Sequence, residues 1–183
     1  MGVLEDIPDF ETLEEAKQYL RDHLKEGARC PACTQLAKIY ERPMYWVSAY
    51  SLIQLYKLDS AKHGFYHITK LVPKNTSGGG DFAKLVYWGL AEEMSKDPAD
   101  KQKRTSGMWQ ITPKGRNFVE GSLTVQSHVR LYDGRLLGFK GEYVSIRDIS
   151  GKKFDYEELM GEYYAMHEPI KPVSLFNDSG TNE

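Results

Sequence analysis

The sequence predicts an α+β domain, and three observations carry this prediction. Apolar residues recur at three- and four-residue spacing in several segments, which is typical of helices packed on a core. The segment from Met108 to Ile111 alternates in the manner of a strand. Asp133 and Gly134 stand between two short apolar runs, which indicates a β-hairpin with a type I′ turn.

Composition narrows the class of protein. The 183 residues are 40% hydrophobic, 27% charged and 12% aromatic, a balance that favours one packed domain and excludes wholesale disorder and coiled coil. No apolar run approaches the roughly 20 residues that a membrane-spanning helix needs. The first residues are acidic and polar, unlike a signal peptide. We therefore expect a cytoplasmic protein without a membrane segment.

Charge is distributed unevenly along the chain. The net charge of −2 and the pI of about 6.2 argue against a generally polycationic nucleic-acid binder. Residues 44–125, however, carry eleven basic and seven acidic side chains, whereas both flanking segments are acidic on balance. A basic centre between acidic arms is compatible with nucleic-acid binding through the centre.

The first segment, residues 1–42, predicts a helix followed by a cysteine knuckle. Thr12 and Glu15 form a capping box, an apolar stripe follows, and Gly27 is suited to end the helix, which we expect over residues 13–26. Cys30 and Cys33 then occur in one C-P-A-C step.

The middle segment, residues 43–121, predicts three helices and a strand. Pro43 is expected to begin a helix that is apolar on nearly all sides and therefore central to the core. The chain after Phe65 is either a short helix or an extended segment. Asp81 is expected to cap a helix over residues 82–94, followed by an exposed loop at residues 95–107. After the strand, Thr112 and Pro113 predict a helix that ends at Gly121.

The last segment, residues 122–183, predicts the hairpin and then short helices. Ser145 and Asp148 repeat the capping box, Gly151 ends that turn, and Asp155 can cap the helix that follows. The tail from Pro169 is rich in Pro, Ser, Asn and Gly, so we expect it to be frayed.

The middle segment resembles the winged helix-turn-helix family. The resemblance lies in Gly89 and Leu90 near the end of a helix and in the run W-Q-I-T-P-K-G-R from Trp109 to Arg116. It implies a winged-helix core with an N-terminal helix and knuckle and a C-terminal hairpin-plus-helix extension. It also implies that the helix after Asp81 enters the major groove of DNA.

This resemblance assigns a set of DNA-contacting residues and a function. The residues are those near the groove helix, those in the loop that would be the wing, and the base that opens the next helix: Thr76, Ser77, Lys84, Tyr87, Lys101, Lys103, Arg104 and Lys114. We therefore expect non-catalytic binding of double-stranded DNA. A winged helix that binds and modulates a host protein is the alternative, because a fold does not fix a function.

The two cysteines indicate metal chemistry more than redox chemistry. A C-x-x-C step supplies half of a tetrahedral zinc site, since both thiolates can face one ion. The other two ligands stay open: His23, His63, His67 or His128, or the same pair on a second chain of a homodimer. A thioredoxin-like pair is disfavoured because no βαβ pattern surrounds it. Free thiols without metal are the remaining alternative.

No catalytic motif accompanies these features. The sequence lacks H-E-x-x-H, a Walker loop and G-x-S-x-G, so we expect a protein that is not an enzyme, with an enzyme-like metalloprotein using the cysteine pair as the rival. The overall layout of helix, C-P-x-C knuckle, winged helix and terminal Y-D-G-R-L-L-G-F is similar to uncharacterised phage and prophage proteins. This similarity implies a phage or prophage accessory protein in a bacterial cytoplasm.

Overall fold

The computed structural model describes residues 7–74, 76, 79–96, 99, 105–151 and 153–166. These residues combine helices with antiparallel sheets, which confirms the α+β class. The helices are α1 (Leu13–His23), α2 (Trp46–Ala61), α3 (Gly79–Phe82), α4 (Leu85–Trp88), α5 (Pro113–Val119), α6 (Ile146–Ser150) and α7 (Tyr156–Met166). The strands are β1 (Ala28–Arg29), β2 (Leu36–Ala37), β3 (Tyr40–Pro43), β4 (Tyr66–His67), β5 (Ala91–Glu93), β6 (Met108–Ile111), β7 (Val125–Tyr132) and β8 (Arg135–Val144). A 3₁₀ turn, Ile68–Lys70, follows β4.

Helix α1 begins at the predicted capping box. The Thr12 hydroxyl accepts the N–H of Glu15 at 3.2 Å, and the Glu15 carboxylate accepts the N–H of Thr12 at 3.1 Å. The helix ends at His23 rather than at residue 26. Gly27, with a φ of 94°, donates its N–H to the His23 carbonyl at 2.8 Å and turns the chain into β1, which pairs with β2.

One sheet has the antiparallel order β3-β7-β8. Asp133 and Gly134 connect β7 to β8 with φ values of 48° and 70°, the positive values that a type I′ turn requires, so the predicted hairpin is confirmed. Pro43 ends β3, and the prediction that it begins a helix is wrong. Proline is tolerated there because β3 is an edge strand, where a missing N–H costs little.

A second sheet has the antiparallel order β4-β6-β5. The predicted strand Met108–Ile111 is its central member, and the ambiguous segment after Phe65 resolves into β4 and the 3₁₀ turn. The N–H of Met94 donates to the carbonyl of Met108 at 2.9 Å, next to the registered pairs of β5 and β6. Residues 94–107 connect these two strands.

The helix predicted over residues 82–94 is instead two short helices and a strand. Asp81 lies inside α3, so the prediction that it caps the helix is wrong. Gly89 adopts a left-handed φ of 69° and ends α4, which lets the next residues pair with β6 as β5. Phe82, Leu85 and Leu90 are buried, whereas Val86 is 44% exposed.

Helix α5 begins as predicted. The Thr112 hydroxyl accepts the N–H of Gly115 at 2.9 Å and donates to the Gly89 carbonyl at 2.7 Å. This residue therefore both caps α5 and fixes it to the end of α4. Gly121, with a φ of 80°, follows the last turn.

Helix α2 lies at the centre of the core, as its apolar sequence predicts. Leu52, Ile53 and Leu55 are completely buried, and one cluster of buried side chains extends from Met44 to Met160. The core is thus continuous across the expected division at residues 121 and 122, and the three-segment division stays a prediction. None of the helices in the described ranges has the length and apolar character that crossing a membrane requires.

The C-terminal helices complete this core. Ser145 and Asp148 form the second predicted capping box, and the N–H and hydroxyl of Ser145 hold the pKa of Asp148 below its usual value. The Asp155 carboxylate accepts the N–H of Glu158 at 3.0 Å, as expected for a cap of α7. The Tyr156 hydroxyl donates to the Val119 carbonyl at 2.6 Å and so joins α7 to α5.

Candidate nucleic-acid interface

Helix α4 is the element on which the predicted groove residues meet. Its Trp88 is buried, and the indole Nε1 donates to the Gln126 carbonyl in β7 at 2.7 Å. Lys84, which precedes α4, is 26% exposed, and its Nζ lies 2.5 Å from Asp81 Oδ1. A phosphate that approached Lys84 would therefore compete with the Asp81 carboxylate.

Two more predicted DNA contacts also have partners within the chain. The Tyr87 hydroxyl donates to the Gly134 carbonyl at 2.8 Å, which ties α4 to the turn of the β7–β8 hairpin. The Nζ of Lys114 donates to the Trp88 carbonyl at 2.8 Å, at the end of α4. The structure thus brings Lys84, Tyr87 and Lys114 to one short helix. Each lysine ammonium has three N–H donors, so each keeps donors beyond its internal bond.

The remaining predicted contacts are not gathered at α4 by any described interaction. Thr76 is half-buried, and its hydroxyl donates to the Pro73 carbonyl at 2.8 Å within its own loop. Ser77, Lys101, Lys103 and Arg104 lie outside the residues that the structure describes.

The connection from β5 to β6 has an ordered base. The Glu93 carboxylate accepts the N–H of Gly107 at 3.1 Å, and the hydroxyl of Ser106 lies 3.4 Å from the same oxygen. These bonds hold the two ends of residues 94–107 together. The base of this hairpin is therefore fixed by an acidic side chain, and its basic residues lie further along the connection.

The two cysteines occupy the turn between β1 and β2. The Cys30 N–H donates to the Gln35 carbonyl at 2.8 Å, and the Thr34 N–H donates to the Cys30 carbonyl at 2.8 Å. Neither cysteine forms a disulfide; Cys30 is half-buried and Cys33 is exposed. Hydrogen bonds from the N–H groups of Cys33 and Ala32, and from the Cys33 side chain, lower the pKa of the Cys30 thiol.

The histidines considered as further metal ligands have other neighbours. Each has a ring nitrogen within 3.0 Å of an oxygen of a nearby residue: His23 with Tyr19, His63 with Asp59, His67 with Thr69 and His128 with Ser127. Across the described ranges, no three Cys, His, Asp or Glu side chains are grouped in a way that could hold a metal ion. The cysteine pair thus places two sulfur atoms at one turn.

A basic groove is the feature that sequence reasoning missed. It has a volume of about 610 Å³ and is lined by side chains from three distant segments: Lys25, Lys38, Ile39, Glu41, Arg130, Phe139 and Lys140. No contiguous motif marks it, because β3 must pair with β7 before Glu41 lies opposite Arg130. The alternating burial along β7 predicts that Arg130 lies on the open face of the strand. It does not predict which residues of other segments lie beside Arg130.

Neither the protein-family models, nor the curated proteins, nor the solved structures that were compared with this chain include a match.

Proposed function

We propose that this chain is a winged helix-turn-helix protein that binds double-stranded DNA without catalysis. The order of elements around α2 is the observation that supports this proposal most. A core helix leads into the short strand β4, a 3₁₀ turn, the helices α3 and α4, and then the strands β5 and β6. The sheet order β4-β6-β5 leaves residues 94–107 as a connection between paired strands, in the position of a wing.

The proposed contacts follow from this arrangement. Helix α4, with Lys84 at its start and Tyr87 on it, is the element we assign to the major groove, with Lys114 and Thr76 on its flanks. Residues 94–107, which we call the wing, contain four basic and two acidic residues. We assign four further residues to phosphates, since lysine, arginine and hydroxyl side chains commonly contact the DNA backbone: Lys101, Lys103, Arg104 and Ser77.

On the resemblance of the sequence layout alone, we extend the proposal to a phage or prophage accessory role in a bacterial cytoplasm.

Titration with a labelled duplex tests this proposal. We expect the anisotropy of a mixed-sequence duplex to rise with protein at low salt, because phosphate contacts dominate non-specific affinity. The variant Lys101→Gln/Lys103→Gln/Arg104→Gln should bind weakly. The control Lys17→Gln/Arg21→Gln/Lys153→Gln removes the same charge outside the proposed interface and should bind nearly as well as the parent chain. Equal losses in both variants would show that only total charge matters.

A protein partner for the same surface is the second candidate. Val86 presents an apolar side chain on α4 that is 44% exposed, and Asp81 offsets the charge of Lys84 beside it. Both features suit a protein contact better than a phosphate. A chain that binds no duplex at low salt, but loses its effect on a host complex when Val86 is changed to Glu, would favour this candidate.

We also propose a zinc ion at Cys30 and Cys33. The hydrogen bonds that close the turn place both residues in one short hairpin, and both side chains line one cavity. Two thiolates fit half of a tetrahedral zinc site.

Metal analysis should find zinc in the purified protein and none in the Cys30→Ser/Cys33→Ser variant. About half an equivalent per chain would indicate a homodimer that shares the ion, and a full equivalent would place the other ligands on the same chain. Equal metal content in both proteins would refute the site.

A further inference from the structure

The basic groove lies where the end of α1 meets the sheet β3-β7-β8. The N–H of Ile39 donates to the Leu24 carbonyl at 2.8 Å and fixes the residues between β2 and β3 against the end of α1. This contact brings Lys25 and Lys38 to the same cavity as Arg130 and Lys140. Four cations from different elements thus line one groove with a single carboxylate, that of Glu41.

The carboxylate is already neutralised within the groove. Lys140 Nζ lies 2.9 and 3.0 Å from the two oxygens of Glu41, and Arg130 Nε lies 3.9 Å from one of them. The hydrogen bond from Lys140, with the charge of Arg130, holds the pKa of Glu41 below its usual value. Glu41 therefore offsets one of the four cations and leaves an excess of positive charge.

Of the other three cations, Arg130 faces the same Glu41 carboxylate at 3.9 Å, and among the described residues none of the three has a further anionic partner. Among the described residues, neither Lys25 nor Lys38 forms a side-chain hydrogen bond or an ion pair, and the buried Nε of Arg130 has no hydrogen-bond partner. A buried guanidinium nitrogen that is left unbonded calls for an acceptor, such as a bound anion or water. The stem of Lys38 packs on Gly27, where a Cβ would lie only 3.0 Å from the lysine Cδ. Gly27 therefore gives Lys38 its place in the groove.

An apolar wall accompanies the charges. Phe139 is 40% exposed at the groove, and Ile39 is half-buried beside it. Nucleotide recognition has two parts: cations bind the phosphate, and an exposed aromatic ring stacks against the base. The groove has both. We propose that this groove binds the phosphate of a nucleotide and stacks its base on Phe139. The residues of this site are not those of α4 or of the wing segment, and the proposal does not rest on the one for duplex binding.

Calorimetric titration of the full chain with adenosine 5′-triphosphate, at low salt, tests the groove. The variant Lys25→Gln/Lys38→Gln should bind at least about tenfold more weakly, because it loses two charge-assisted contacts. The control Lys17→Gln/Lys153→Gln has the same net charge but leaves the groove intact, so it should bind like the parent chain. Phe139→Ala should weaken the nucleotide but leave the affinity for inorganic pyrophosphate unchanged.

A change in the opposite direction separates recognition from folding. Glu41→Gln removes the groove's carboxylate and releases Lys140, so we expect it to tighten nucleotide binding several-fold. A merely structural role for this pair predicts no such gain. A short single-stranded oligonucleotide, titrated in parallel, distinguishes a free nucleotide from a nucleotide within a strand. If neither probe binds, or if the groove variant and its control lose affinity equally, the proposal is overturned.

Discussion

The carbonyl oxygen of Leu90 occupies the space beside Gly115 in which any other residue would place its Cβ. The N–H of Thr112 donates to that same carbonyl at 3.2 Å. Helix α5 thus meets the start of β5 backbone to backbone, a contact that requires glycine. This explains why a glycine stands at position 115.

The first prediction concerns this contact. Gly115→Ala should lower the free energy of unfolding by about 1–3 kcal/mol, because the added methyl group must displace the backbone of Leu90. Gly161→Ala is the matched control, since a Cβ there meets nothing within 4 Å and Gly161 lies within α7. It should stabilise the protein by about 0.5–1 kcal/mol. Urea denaturation measures both changes, and a shift in the same direction for the two variants would refute the contact.

The second prediction concerns the ion pair between the buried Asp59 of α2 and Arg116 of α5, whose side chain is 27% exposed. Asp59 is completely buried and pairs with Arg116, while its other oxygen accepts the N–H of Gly64 at 3.1 Å. Asp59→Asn should cost about 3 kcal/mol, because it leaves the Arg116 charge without its partner. Glu14→Gln breaks the exposed pair with Lys17 and should cost less than about 1 kcal/mol. Equal losses of unfolding free energy in urea denaturation would show that the Asp59–Arg116 pair contributes no more than an exposed ion pair.

The third prediction concerns alkaline pH. Burial, and then the hydrogen bond to Glu120, raise the pKa of Tyr56 above its usual value of about 10. The unfolded chain therefore loses this proton first, so the stabilisation is complete below pH 10 and declines as pH rises above it. Tyr56→Phe should flatten the decline in unfolding free energy, measured by denaturation from pH 8 to 11. Tyr143→Phe, at a residue that is 69% exposed, should leave the decline unchanged, and a flattening there as well would contradict the assignment.

Local signals in the sequence predicted the local parts of the fold. The capping boxes at Thr12 and Ser145, the turn at Asp133 and the cap at Thr112 are each determined by residues within a few positions of one another. The prediction for Pro43 is wrong because a proline suits both a first helical turn and an edge strand, and only the pairing of β3 with β7 decides between them. Likewise, residues 91–93 form β5 rather than the end of the predicted helix because they pair with β6, which is distant in sequence.

The candidate sites likewise divide into those that local sequence predicts and those that depend on tertiary packing. The cysteine pair could be found because its two members lie only three positions apart in the sequence. The groove could not, since Lys25 and Arg130 are brought together by packing across more than half of the chain. The internal partners of Lys84, Tyr87 and Lys114 could not be predicted from the sequence either, because they depend on how α4 packs against its neighbours.

The salt dependence of duplex binding tests the central proposal most directly. The logarithm of the association constant should fall linearly with the logarithm of salt concentration, and each phosphate contact contributes a slope of about 0.9. The slope of the Lys101→Gln/Lys103→Gln/Arg104→Gln variant should be smaller than that of the parent chain by about 2–3, because three contacts are lost. An unchanged slope, or no binding of the duplex even at low salt, would contradict a wing that contacts DNA.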